Sequence, residues 1–337
     1  MKRKILISSL VFILITSVFV SLGACKETNS GIFYVGGIGN GNYSNIQEAI
    51  TLASSGDTIL VYNGTYYQNI VINKSINLEG QDKNNTVIDG QDNSYVVLIN
   101  CSMAKISGFT IQNSVFGIFI SGSNILSENT ITSNIVKCNI NGIYLQRSSY
   151  GNIVSKNIVT YNAEGIRLYN SSNNTIINNT IEDNVAKGLM LWERSENNLI
   201  SGNNIAYNSN GVFLKRWSNN NSIKNNNIIN NEGIGISLDF SSHNDIQSNV
   251  VSYNDKGINF GNSNKNNLAD NLIENNTRYG IYLSGSDNNF ISEDNYFLNN
   301  GQDILEKSPP PKIKIPGFEL ILLFVAICVF LFFKRKS

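Results

Sequence analysis

Gly165-Ile166-Arg167-Leu168 is one copy of a pattern, glycine–apolar–any–apolar, that returns every 22 to 25 residues. The other copies begin at Gly117, Gly142, Gly188, Gly211, Gly235, Gly257 and Gly280. Two asparagine columns keep the same period, one through Asn174-Thr175-Ile176 and the other through Asn179-Thr180-Ile181. A fixed period of this length is the signature of stacked repeats, in which each repeat is one small structural unit.

Each period holds three short segments that favour β-strand, separated by polar turns, and no segment is long enough for a helix. One such coil cannot bury its own apolar side chains. Stacking coils in register about 4.8 Å apart places the aliphatic residue after each glycine, such as Ile166, Leu189 and Val212, in one internal column. The sequence therefore predicts an all-β fold, a single-stranded parallel β-helix of about 10 to 11 coils.

The chain contains 57 asparagines, and the predicted turns explain this number. Asparagine tolerates the left-handed backbone angles that tight turns require. Stacked asparagine amides can also hydrogen-bond from coil to coil as a ladder. We expect each turn asparagine to do both.

A helix is predicted at the N-terminal end of the stack, over residues 45–54. Ser44-Asn45-Ile46-Gln47 has the form of a capping box, Ile46, Ala49 and Ile50 lie on one face, and Gly56 ends the segment. Such a helix would cover the first coil, because the open end of a β-helix templates aggregation. The first strands are then predicted at residues 58–62, 70–72 and 76–78.

This opening resembles that of NosD-type β-helix surface proteins of archaea. The matching motifs include Gly56-Asp57-Thr58-Ile59, Gly64-Thr65-Tyr66-Tyr67 and Asn69-Ile70-Val71-Ile72, and with the repeats the resemblance extends from about Tyr43 to Leu305. It implies parallel β-helix (PbH1) repeats in a right-handed, pectin-lyase-like solenoid and is unspecific for activity. The family name suggests copper, but one histidine and no cysteine pair with ligand spacing argue against a copper site.

The N-terminal 25 residues have the form of an export signal, because basic residues 2–4 precede a short apolar run and small residues. Leu22-Gly23-Ala24-Cys25 resembles a lipobox, which would make Cys25 a lipidated N-terminus, whereas Ala24 equally suits ordinary cleavage. The alternative is a retained membrane helix, for which the run is short. The predicted organisation is a signal peptide in 1–25, an N-terminal strand and capping helix in 26–58, a parallel β-helix in 59–306, a proline-rich linker in 307–316, and a membrane or sorting segment in 317–337.

That last segment resembles the PGF-CTERM sorting signal of archaeal surface proteins. It consists of Pro316-Gly317-Phe318, an apolar run over 320–333 and the basic residues 334–336. The resemblance implies a tail that holds the protein in the membrane until a protease exchanges it for a lipid; a permanent anchor would give the same topology. We therefore expect an exported protein anchored at the cell surface.

Composition excludes several functions. Basic and acidic residues both number 25, so the net charge is zero, and nucleic acid, which requires a basic footprint, is not an expected partner. Four cysteines do not make a disulfide scaffold; Cys101 and Cys138 are expected to be small core or turn residues, with a bridge between them left open. The lone histidine, His243, stands where other coils place a turn asparagine. No cofactor is expected, and a capped solenoid needs no partner subunit.

The outward-facing positions of the repeated strands form a column that carries both tryptophans in neighbouring coils. Exposed aromatic rings beside arginines and acids suit stacking on sugar faces and charge-assisted bonds to uronates or sulfates. The alternative is that aromatic residues are simply good strand formers. The candidate ligand-binding residues are Tyr144, Arg147, Arg167, Tyr169, Trp192, Arg194, Lys215, Arg216 and Trp217.

Catalysis is not indicated by any motif. The Asn-Thr-Asp, Asp-Asp and His-Gly motifs of polygalacturonases, pectate lyases and uronan epimerases do not occur in the chain. Arg216 with Glu193 or Asp239 could imitate a calcium-dependent lyase, and these three are the catalytic candidates. The sequence thus predicts a non-catalytic protein that binds carbohydrate or other cell-envelope components. The alternatives are a polysaccharide lyase or epimerase, which would use Ca²⁺, and a structural spacer.

Overall fold

A computed structural model describes residues 30–39, 41–122, 124–147 and 149–307, which form a right-handed parallel β-helix. The chain passes in turn through three parallel sheets, called sheets 1, 2 and 3, and contributes one strand to each in a full coil. Sheet 1 has twelve strands, so the stack is slightly longer than the predicted 10 to 11 coils.

The strands of sheet 1 are Ile32–Val35, Thr58–Val61, Asn77–Gly80, Lys105–Ser107, Thr130–Thr132, Ile153–Ser155, Thr175–Ile177, Leu199–Ser201, Ser222–Lys224, Asp245–Gln247, Asn267–Ala269 and Phe290–Ile291. Those of sheet 2 are Gly64–Tyr67, Ile158–Thr160, Thr180–Glu182, Asn204–Ala206, Asn227–Ile229, Val250–Ser252, Leu272–Glu274 and Tyr296–Leu298. Those of sheet 3 are Ile70–Ile72, Glu164–Tyr169, Lys187–Trp192, Asn210–Lys215, Ile234–Asp239, Lys256–Gly261, Tyr279–Ser284 and Ile304–Lys307. Three long strands, Thr86–Ile99, Thr110–Ile120 and Ile135–Gln146, run through sheets 2 and 3, and Leu126–Ser127 pairs with Ser149–Tyr150.

The predicted internal column is confirmed. Ile166, Leu189, Val212, Ile236 and Ile258 pair in register from coil to coil, and all five are fully buried. In the three-residue strands of sheets 1 and 2, such as Thr175–Ile177, the middle side chain points inward, because successive strand residues face opposite sides of a sheet. One dry interior therefore extends through the stack.

The repeat glycines allow close approach of the coils. A Cβ on Gly211 would lie 2.5 Å from the carbonyl oxygen of Gly235 and 2.7 Å from Cγ2 of Ile228. The φ angle of Gly211 is not in the left-handed region, so backbone strain is not the reason for glycine here. Any side chain would push neighbouring coils apart.

Asparagine forms three hydrogen-bonded ladders, one more than the two columns predicted. In each ladder the side-chain amide donates to the Oδ1 of the next asparagine; the Asn174 Nδ2–Asn198 Oδ1 distance is 3.2 Å, and the same oxygen accepts from the Asn174 backbone N–H at 2.9 Å. The ladder before sheet 1 runs through Asn129, Asn152, Asn174, Asn198, Asn221, Asn244, Asn266 and Asn289. The ladder before sheet 2 runs through Asn134, Asn157, Asn179, Asn203, Asn226, Asn249, Asn271 and Asn295. The ladder between sheets 2 and 3 runs through Asn139, Asn162, Asn184, Asn208, Asn231, Asn254, Asn276 and Asn300.

The expectation that one asparagine both forms the ladder and adopts the left-handed angle was wrong. The left-handed residue is the one directly before the ladder asparagine: φ is +57° at Asn173 and +56° at Asn178. The two roles separate because the ladder residue must point its side chain inward while the turn is made one position earlier. This accounts for the frequent Asn-Asn pairs in the sequence.

Helix α1, Ile46–Leu52, covers the first coil and buries Ile46, Ala49 and Ile50, as predicted. The capping box was misplaced by one residue: Asn45 is the N-cap, and its side chain accepts from the Glu48 backbone N–H at 3.1 Å. Gln47 instead accepts from the Val71 N–H at 2.7 Å and donates to its carbonyl. The amide of Gln47 thus pairs with the open edge of the first strand of sheet 3, which is why it is not part of the cap.

Cys101 and Cys138 are both free thiols, so the bridge left open by the sequence does not form. His243 lies in an exposed turn with φ +59°, as predicted. The predicted signal peptide, Cys25 and the tail 317–337 lie outside the described residues. Within the described ranges no helix is long and apolar enough to cross a membrane.

Candidate functional site

The exterior of sheet 3 between Tyr144 and Asp239 carries most of the predicted site residues and is called the sheet-3 face. Strand register places Tyr144, Arg167, Met190, Phe213 and Ser237 in one outer row. A second row, four residues after the repeat glycines, consists of Gln146, Tyr169, Trp192, Lys215 and Asp239. Side chains within a row lie one coil apart, about 4.8 Å along the axis.

Trp192 is the centre of this face. Its ring centroid lies 4.6 Å from the guanidinium carbon of Arg167 and 5.5 Å from that of Arg216. Tyr169 meets the same indole edge-on at 5.6 Å between ring centroids. The indole is therefore held between two cations, an arrangement stabilised by the ring quadrupole.

The aromatic side chains continue toward the N-terminal coils. The Arg167 guanidinium carbon lies 5.2 Å from the ring centroid of Tyr144, which stacks on Phe119 at 5.3 Å. Rings and guanidinium groups thus alternate along the axis from Tyr144 to Arg216. This packing leaves Tyr144 only 7% exposed, and burial raises the pKa of its hydroxyl.

Four ion pairs fix the charged side chains. Glu164 contacts Arg167 at 3.1 Å and Lys187 at 3.6 Å. Lys215 pairs with Asp239 at 3.4 Å, and Arg216 pairs with Glu193 at 3.5 Å. With Arg147, Arg194 and Glu196, which lie in the turns after sheet 3, this surface carries six cations and four carboxylates. The face is therefore positive although the whole chain is neutral.

Two buried hydrogen-bond donors on this face have no partner among the described residues. They are Nε1 of Trp192 and Nε of Arg167. A buried donor without an acceptor costs about 1–3 kcal/mol, so each such group requires an explanation. Neighbouring side chains cover both nitrogens, so an oxygen of a ligand or a water reaches them only when one of these side chains moves.

The structure brings together six of the predicted ligand-binding residues: Tyr144, Arg167, Tyr169, Trp192, Lys215 and Arg216. Arg194 and Trp217 form a separate pair in the adjoining turns, with 5.9 Å from the guanidinium carbon to the ring centroid, and Trp217 is 52% exposed. Arg147 is exposed in the turn after the strand of Tyr144 and makes no ion pair within the described part of the chain.

Sequence reasoning missed Glu164 and Lys187 as members of this face. Lys187 Nζ lies 5.7 Å from the ring centroid of Phe213, and Glu164 joins Lys187 to Arg167. Both charged residues directly precede a repeat glycine, so a third column with the same period would have found them. The prediction that the row of Tyr144 is exposed was wrong for Tyr144, Met190 and Ser237, because side chains of adjacent coils cover them.

The three catalytic candidates lie in adjacent coils, but each already has a partner of opposite charge. Arg216 contacts Glu193, and Asp239 contacts Lys215. A calcium ion bound by these carboxylates would have to displace one of the two cations. The arrangement favours anion binding over metal binding.

Comparisons with known proteins support the fold. The family model described as "Periplasmic copper-binding protein (NosD)" matches residues 50–232 and 208–310. None of the curated proteins shows significant sequence similarity to the chain. The A-module of mannuronan C-5 epimerase AlgE4 of Azotobacter vinelandii superposes with a TM-score of 0.63 at 16% identity, covering 82% of this chain and 99% of that chain.

Two further solved structures are similar in the same way. The AlgE6 A-module of Azotobacter vinelandii gives a TM-score of 0.62 at 15% identity, covering 79% of this chain and 95% of that chain. The Dettilon tailspike protein gp208 gives 0.60 at 16% identity, covering 76% of this chain and 64% of that chain. At these identities the likeness shows the parallel β-helix alone.

The donors in the described residues do not fit copper. His243 lies five coils along the stack from Cys138, because five sheet-1 strands follow Thr130–Thr132 up to Asp245–Gln247. At about 4.8 Å per coil they cannot share an ion. Burial raises the pKa of the Cys101 thiol to about 11, which keeps it protonated and a poor ligand. Among the residues described, no three His, Cys, Asp or Glu side chains form a metal-binding group.

Proposed function

The chain belongs to the NosD family, and from this premise we propose that it is an exported, non-catalytic protein that binds an acidic polysaccharide on the sheet-3 face. One observation carries this proposal: Trp192 lies between Arg167 and Arg216, and both Trp192 and Arg167 keep a buried donor without a partner. Carboxylate or sulfate oxygens are the acceptors that guanidinium groups favour.

The alternation of rings and cations suits a sugar chain. Pyranose C–H faces pack on aromatic rings, while uronate or sulfate groups reach the neighbouring guanidinium and ammonium groups. One coil rises about 4.8 Å, which is close to the length of one sugar in an extended chain. Successive rows of the face can therefore meet successive sugars.

The expected location follows from the family and from the two ends of the sequence. The family description is periplasmic, which is consistent with the export signal expected in residues 1–25. In our proposal the tail 317–337 anchors the protein, as a monomer, at the cell surface. The polysaccharide would then belong to the envelope or to the medium outside it.

A second candidate is a lyase or epimerase that acts on the same acidic chains. The contact between Arg216 and Glu193, one coil from Asp239, favours it. In that mechanism Arg216 would remove a proton and the carboxylates would hold Ca²⁺. It is the weaker candidate because the guanidinium and both carboxylates are already engaged in ion pairs. The spacer alternative predicts no binding at all.

The test is calorimetric titration of the protein with oligogalacturonate, alginate and heparin oligosaccharides. Products are followed by ultraviolet absorbance for unsaturated uronate and by proton NMR for epimerised uronate. Arg216→Gln is expected to weaken binding about tenfold, since it removes one charge-assisted contact. Arg278→Gln is the matched control, because Arg278 is similarly exposed and also paired with a carboxylate, that of Asp255, but lies off the face.

Binding without product, weakened about tenfold in Arg216→Gln and unchanged in Arg278→Gln, supports the proposal. Unsaturated or epimerised product would establish the enzyme instead. Equal affinity of the two variants, or no affinity of the unchanged protein for any of the three polymers, would overturn it.

A further inference from the structure

Three exposed tyrosines occupy the same position of the turn between sheets 2 and 3. Tyr161, Tyr207 and Tyr253, here called the tyrosine ridge, directly precede the ladder residues Asn162, Asn208 and Asn254. Their exposed fractions are 63%, 58% and 57%. The ridge does not belong to the sheet-3 face and is independent of the function proposed for it.

The fold does not require tyrosine at this position. All three residues are left-handed, with φ of +54°, +57° and +56°, a conformation that costs free energy for residues other than glycine, asparagine and aspartate. The equivalent residues of other coils are Asp183, Asn230 and Asn275, which tolerate it. Because the rings are mostly exposed, burial returns little of this cost. A role in binding explains them better than a role in folding.

The spacing of the ridge is regular. Successive tyrosines are 46 residues apart, and one sheet-2 strand lies between the strands that precede them. Two coils correspond to about 9.6 Å along the axis. That distance matches the length of a disaccharide in an extended β-1,4-linked polysaccharide, in which alternate sugars present the same face.

We propose that the tyrosine ridge binds an extended, neutral β-1,4-linked polysaccharide laid along the solenoid axis. Each ring stacks on every second sugar. Asp183 and Asn230, in the intervening coils, offer an acceptor and an amide to sugar hydroxyls. Asp183 and the exposed Glu232 beside the ridge are negative, so this surface repels the acidic chains that suit the sheet-3 face. The molecule then has two faces for two kinds of glycan.

The test measures how much protein is removed from solution by binding to microcrystalline cellulose, chitin or insoluble mannan. The variants are Tyr161→Asn, Tyr207→Asn and Tyr253→Asn, singly and together, because asparagine is what the chain itself uses in this turn. Folding is checked by thermal unfolding, and the Tm of each variant should equal or exceed that of the unchanged protein. Tyr150→Asn is the control, since Tyr150 is 44% exposed and lies between sheets 3 and 1, away from the ridge.

Losing either end tyrosine should weaken binding roughly fivefold, and losing the central Tyr207 should weaken it more, because no adjacent pair remains. The triple variant should not bind the solids, while Tyr150→Asn and Trp192→Ala should bind as the unchanged protein does. Failure of the unchanged protein to bind any of the three solids, or retention of the folded triple variant, would overturn the proposal. Neither result bears on acidic-polysaccharide binding, which Arg216→Gln tests separately.

Discussion

Replacing Gly211 by alanine should destabilise the protein strongly although it adds one methyl group. The new Cβ would lie 2.5 Å from the Gly235 carbonyl oxygen, 2.7 Å from Ile228 Cγ2 and 3.2 Å from Asn231 Nδ2. The first contact is with backbone of the next coil and cannot be relieved by a rotamer change. Overpacking of this kind costs about 1–3 kcal/mol, and displacing the coil weakens at least one ladder hydrogen bond worth about 1 kcal/mol. We expect a loss of about 3 kcal/mol.

Gly261→Ala is the matched control within the same sheet. Its Cβ would meet nothing nearer than 3.6 Å, and its φ is not left-handed. The free energy of unfolding should therefore stay unchanged or rise by about 0.4–1 kcal/mol, because alanine restricts the unfolded chain.

Urea unfolding followed by circular dichroism measures both free energies, and hydrogen exchange of the sheet-3 amides locates the effect. Faster exchange should centre on Asn210–Lys215 and Ile234–Asp239, the two strands in contact. A surface substitution ordinarily changes the free energy of unfolding by about 0.5 kcal/mol. If Gly211→Ala changes it by no more than this, or if Gly261→Ala lowers it as much as Gly211→Ala does, close approach of the coils is not the reason for the repeat glycine.

Other predictions concern the ladder, the thiols and the cap. Asn203→Ala should cost about 3 kcal/mol in urea unfolding, because it removes the acceptor of two buried donors, whereas Asn178→Gly, which keeps the left-handed turn, should cost little. Iodoacetamide at pH 8 should alkylate Cys138 and leave Cys101 unmodified until the protein is denatured, since burial raises the pKa of Cys101 to about 11; mass spectrometry showing equal rates would contradict this. Gln47→Ala should speed hydrogen exchange in the first strand of sheet 3, and unchanged protection there would show that the helix does not close this edge.

The solenoid could be predicted from the sequence because the same residue pattern recurs in every coil. The aliphatic residues after the repeat glycines are in phase, and their burial requires only that the coils stack. The reason for glycine could not be predicted, since it depends on the distance between two backbones in adjacent coils rather than on any angle of Gly211 itself. The sequence likewise could not predict that Asn173 makes the turn and Asn174 forms the ladder, because both residues are asparagine.

The candidate face was predicted in outline and not in its contacts. Trp192 and Arg216 stand out because they are large or charged in a chain of small polar residues. Glu164 and Lys187 do not stand out in the sequence, because they join the face through an ion pair between adjacent coils. The burial of Tyr144 has the same origin, since its neighbours in the fold are about 23 residues away in sequence.

The indole N–H signals in a proton–nitrogen NMR spectrum test the central claim most directly. The chain contains two tryptophans, so two signals are expected, and Trp217→Phe assigns them. On titration with an oligouronate, the side chains that cover Trp192 Nε1 should move, and the Nε1–H signal should shift downfield as this unpartnered donor gains an acceptor, while Trp217 changes less. A Trp192 signal that stays in place at saturating oligouronate would contradict the account.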